Sequence, residues 1–130
     1  MRVLSTLAAL LVAATVAGCA TMVPIQNVSN APATSAAGKP LSADQVRGAI
    51  VRAGAALGWQ MKEAGPGKLA ATLQLRTHSA EIEIPYSPSS YSINYKSSVD
   101  LKEKDGQIHK NYNGWIQNLT RGINAQLSAS

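Results

Sequence analysis

The chain has 130 residues, 12 Lys and Arg against 7 Asp and Glu, a formal charge of +5, two histidines and a single cysteine. That length fits one domain with a sizeable core behind a short leader. The mild charge excess, with no clustered basic stripe, argues against a nucleic-acid partner. A lone cysteine rules out an internal disulfide framework, and two histidines without ligand-spaced partners argue against a zinc site.

Met1-Arg2 is followed by an apolar run to Thr15, and Val16-Ala17-Gly18 precedes Cys19. One charge, an apolar stretch and small residues are the parts of a secretory signal, assigned to residues 1–18. The run is too short for a membrane span, which needs about 20 apolar residues. Val16-Ala17-Gly18-Cys19 resembles the lipobox of bacterial lipoproteins. That resemblance implies cleavage before Cys19, acylation of its sulfur and new amine with palmitate-type chains, and a membrane anchor. An ordinary secretory signal would instead leave an unpaired thiol in an oxidising compartment. Ala20 and Thr21 follow, with no aspartate at the second mature position, the pattern of lipoproteins sorted to the outer membrane. The domain would then face the periplasm.

Residues 19–40 are poor in charge and rich in Ala, Ser, Thr, Asn and Pro, so the expectation there is a lipidated cysteine and a flexible tether. The single folded domain is expected over 41–130. Leu41-Ser42-Ala43-Asp44-Gln45-Val46 carries a capping box and a hydrophobic staple. Val46, Ala49, Ile50, Ala53 and Leu57 then recur at helical spacing up to Gly58. Four alternating runs follow, over 59–63, 68–76, 81–86 and 91–97, separated by turns at 64–67, 77–79 and 87–90. Residues 101–107 read as a turn. A long amphipathic helix then places Ile108, Tyr112, Trp115, Ile116, Leu119, Ile123 and Leu127 three and four apart, with Trp115 expected at its buried centre. The fold class predicted is α+β: a four-stranded antiparallel meander with N- and C-terminal helices packed on one face, a helix-grip-like two-layer sandwich.

No catalytic pattern emerges. His78 falls near a hairpin tip, Glu81 and Glu83 share the solvated face of a strand, and Ser87–Ser90 lacks a nucleophile elbow. Gly65-Pro66-Gly67 has no helix behind it to make a phosphate cradle. No catalytic residue, metal or cofactor is expected, and the chain is read as a non-enzyme. The richest segments are Tyr91–Leu101 and Ile108–Ile116. Together with the lipobox they resemble a family of small uncharacterised proteobacterial lipoproteins, whose likeness implies a lipidated envelope protein and is silent on activity. Two readings of the aromatic set stand side by side. In one, Tyr112, Trp115 and Ile116 are core. In the other, Tyr95, Ser97, His109, Asn111 and Asn113 frame a polar-rimmed patch for a partner. The functional expectation is a periplasmic binding or envelope-assembly module, bound to the membrane through its anchor and to an envelope protein. The alternative is a small-ligand or hydrolase-like site in a groove between helix and sheet.

Overall fold

The computed structural model describes residues 21–130. The expected signal segment, residues 1–18, and the expected lipidation site Cys19 lie outside the described residues. Among the described residues seven strands and two helices follow one another as β1 (Met22–Pro24), β2 (Val28–Pro32), α1 (Ala43–Ala56), β3 (Gln60–Glu63), β4 (Lys68–Leu75), β5 (His78–Pro85), β6 (Ser90–Val99), β7 (Gln107–His109) and α2 (Lys110–Ser128). The fold is α+β. A five-stranded antiparallel sheet runs in the order β2-β6-β5-β4-β3, and β1 pairs with β7 in a separate two-stranded ribbon.

The alternation of β4, β5 and β6 sends Leu69, Ala71, Leu73, Ala80, Ile82, Ile84, Tyr91 and Ile93 to one face, all buried. Both helices cover that face. Ser42 caps α1 by accepting from the Gln45 amide at 3.1 Å, and the Gln45 side chain accepts from the Ser42 amide at 2.9 Å, closing the capping box. Gly58, at φ +88, ends α1 in the left-handed region that a residue without Cβ enters freely. Val46, Ala49, Ile50 and Ala53 of α1 and Tyr112, Ile116, Leu119, Ile123 and Leu127 of α2 complete the core. The helices approach closely at a small-residue contact, where a Cβ on Gly122 would stand 3.4 Å from that of Ala53.

The expected tether is part of the domain. Met22–Pro24 pairs with Gln107–His109, and Val28–Pro32 adds a fifth strand alongside β6. Beyond β2 the backbone stays stitched down: the Ala33 amide donates to Ser89 O, the Ala36 amide to Ser128 O, and buried Ser35 accepts from the Lys39 amide. The four-stranded meander is thus a five-stranded sheet, and the domain boundary moves upstream of 41. Two further departures matter for the surface. Ile108 belongs to β7, so α2 begins at Lys110. Trp115 is only partly buried and packs at the margin of the core, while Tyr112 and Ile116 beside it are wholly enclosed.

Candidate functional site

The N-terminal half of α2 carries the candidate surface. His109 is the residue that caps this helix, its Nδ1 accepting from the Asn111 amide at 3.2 Å. Asn113, one turn on, uses both ends of its side chain on the β1–β2 link: Oδ1 accepts from the Gln26 amide at 3.0 Å and Nδ2 donates to Pro24 O at 2.9 Å. Gln117 donates to the Gln26 side chain at 3.3 Å, continuing the seam. Asn27 then accepts from the Tyr95 amide at 2.9 Å. This amide ladder fastens the first strand across α2.

Two hollows open beside that seam. A groove of about 480 Å³ is lined by Val23, Lys110, Asn111, Asn113, Gly114 and Trp115, with Gln117 and Asn118 at its far side. A smaller, apolar hollow of about 190 Å³ lies between the end of α1 and the β4–β5 hairpin, lined by Leu57, Trp59, Leu73, Leu75, Trp115 and Asn118. Trp115 and Asn118 line both, so the two form one continuous strip. Leu57 is 41 % and Leu75 45 % exposed there, high values for leucines on a folded domain. Sequence periodicity counts both with the inward faces because each closes a regular pattern, Leu57 just before the Gly58 cap and Leu75 at the last inward position of β4, where the covering layer has run out.

The five residues expected to frame one patch do not share a face. Asn111 and Asn113 line the groove and His109 caps the helix beside them. Tyr95 lies underneath on the covered face of the sheet, edge-on to Tyr112 with ring centroids 5.4 Å apart at 87°, its hydroxyl 2.7 Å from Ser98 Oγ. Ser97 is on the opposite face. A β-bulge in β6 pairs Ile82 with Tyr95 but Glu81 with Ser97, so the extra residue, Lys96, reverses the alternation. Ser97 therefore meets Glu81 at 3.3 Å. That outer face is a lattice of small polar side chains and ion pairs, Lys96 with Glu81 and Glu83 at 3.4 and 3.7 Å and Lys68 with Glu83 at 3.8 Å. Glu81 and Glu83 are thus engaged with lysines. His78 lies in β5 with Nε2 3.7 Å from Asp100 Oδ2, and Thr77 donates to the same oxygen at 2.9 Å.

Buried polar groups lie deeper. The Tyr91 hydroxyl donates to Asn124 Oδ1 at 2.7 Å, and burial pushes its pKa up. Burial, with a smaller contribution from Tyr95, raises that of Tyr112 strongly, and its hydroxyl has no hydrogen-bond partner. Among the described residues no group of three or more His, Cys, Asp and Glu side chains is placed to hold a metal ion. In comparisons with known proteins, no family model, no curated protein and no solved structure matches the chain.

Proposed function

We propose that the protein is an envelope lipoprotein, acylated on Cys19 and held at the bacterial outer membrane with its domain on the periplasmic side. It acts there as a non-enzymatic binding or envelope-assembly module, within the family of small proteobacterial lipoproteins that the lipobox and the Tyr95 and Tyr112–Trp115 segments resemble. The observation that carries the binding reading is the groove on α2. Its walls are amides, one indole and one lysine, groups suited to recognition by hydrogen bonding and ring contact. The groove also lies beside β1, whose first residue follows Cys19 by three positions.

Mass spectrometry of the membrane fraction tests the anchor. An N-terminal peptide beginning at acylated Cys19 is expected, and Cys19→Ser should move the protein to the soluble fraction. An unmodified thiol on a soluble mature chain would refute the assignment. The small-ligand or hydrolase-like alternative has its place in the cleft of about 330 Å³ between β2 and the end of α2, lined by Ala31, Pro32, Thr34, Ser35, Asn124 and Leu127 among others. Saturable NMR shifts confined to that cleft on adding small molecules would favour it.

A further inference from the structure

We infer that the strip from Val23 across Trp115 to Leu57 and Leu75 is the face laid against a phospholipid surface, with anionic headgroups over Lys110 and Arg121. This rests on the proposed acylation of Cys19 and names the occupant of the groove on α2.

The first argument is where the chain leaves the domain. Met22 is paired with His109, so the backbone exits beside the start of α2, at the mouth of the groove lined by Lys110 and Asn111. Cys19 is three residues upstream. Three residues, even fully extended, span only about 10 Å. Acyl chains on Cys19 therefore enter a bilayer close to this corner of the molecule. A domain held on so short a lead has little freedom to turn the strip away.

The second argument is chemical. Trp115 is half-buried at the junction of the two hollows, and two of the three exposed large apolar side chains among the described residues, Leu57 and Leu75, open on the smaller one. Indole rings favour the headgroup level, where an apolar body meets a wet edge. A lysine such as Lys110 lays its stem along apolar surface and keeps its ammonium among phosphates. The third argument is charge. Over its 19 residues α2 carries Lys110, which lines the groove, and Arg121, which donates to Asn118 Oδ1 of the strip at 2.6 Å, and no carboxylate. The acidic side chains lie elsewhere: Asp44 at the start of α1, Glu63, Glu81 and Glu83 on strands, Asp100 just after β6. In the loop before β7, Glu103 and Asp105 are matched by Lys102 and Lys104. An anionic surface meets the strip without a carboxylate on α2 to oppose it.

The test uses the full acylated protein on vesicles of phosphatidylethanolamine with phosphatidylglycerol. Asn118→Cys, in the strip, and Gln74→Cys, on the outer sheet face, are both exposed positions for an environment-sensitive fluorophore. Acylated Cys19 has no free thiol to label. On vesicles the probe at 118 should shift to the blue and be protected severalfold better than the probe at 74 from an aqueous quencher. Lys110→Glu with Arg121→Glu should reduce that protection while the protein still sediments with the vesicles. Equal wetting of both probes on vesicle-bound, acylated protein overturns the inference and leaves the strip to a protein partner, with the anchor intact. Mass spectrometry showing Cys19 unacylated overturns the inference together with the anchor assignment.

Discussion

Tyr112 is enclosed on all sides, its ring edge-on to Tyr95 and its hydroxyl unbonded. An unpartnered buried hydroxyl loses its hydration on folding without compensation, at a cost of about 1–3 kcal/mol. Tyr112→Phe should therefore leave stability unchanged or raise it by about 1 kcal/mol in urea melts. A loss of that size would mean that the hydroxyl is bonded. Ionisation gives an independent check. The folded-state pKa of Tyr112 is raised above the ordinary 10.0. The unfolded chain thus releases this proton first as pH rises. Stability is flat with respect to this group below pH 10 and falls above it, and Tyr112→Phe should soften that alkaline loss. Tyr91, raised by burial too, leaves part of the slope in place. Trp115 shows the converse. At about 100° per residue it stands on the far side of Tyr112 from Ile116, at the border of the stripe centred between Tyr112 and Ile123. Three-and-four spacing counted it as core because that spacing fixes neighbourhood along a helix and leaves the edge of the buried arc undefined. Trp115→Ala should cost about 1–3 kcal/mol and Ile116→Ala about 2–5 kcal/mol. Equal or reversed costs would place the indole at the centre of the core.

At the scale of elements, α1 and the β4–β5–β6 meander were legible because each carries its own local instructions: a capping box, a glycine stop, and clean alternation with turns between. β1 and β2 were not. Pro24 and Pro32 interrupt their pattern, and a bulge between Val28 and Ala31, with Asn30 at φ 51, breaks the period of two. Their place is set by distant partners, the amides of Asn113 and Gln117 and the free edge of β6, which no window of neighbouring residues contains. The bulge at Lys96 is the same kind of event: β6 alternates well on either side of it, and only the register with β5 shows that Ser97 has changed face. Asn113→Ala removes both bonds to the β1–β2 link and should cost about 1–3 kcal/mol. Hydrogen exchange should then quicken over residues 22–32 more than in β4 or β5; uniform quickening would contradict the ladder. Gly114, inside α2 with no atom within 4 Å of where a Cβ would stand, predicts the opposite sign. Gly114→Ala should stabilise by about 0.5–1 kcal/mol, through helix propensity alone.

For the molecule as a whole, the unit that folds includes β1 and β2 as well as residues 41–130. A chain starting at Thr21 should melt in one cooperative urea transition. One starting at Lys39 exposes the edge of β6 and the flank of α2, and should be markedly less stable or lose dispersed amide signals. Indistinguishable melts would restore a boundary at 41. The join between Gln26 and Asn113 spans 87 residues, and this gives the protein a calendar. Among the described residues β1 is the first strand and α2 the last element, so this join can close only once both have been made. Contacts so remote in sequence form late in folding. Asn113→Ala should accordingly speed unfolding in stopped-flow chevrons while leaving the folding limb nearly in place. β1 is the latch of this domain: made early and closed late.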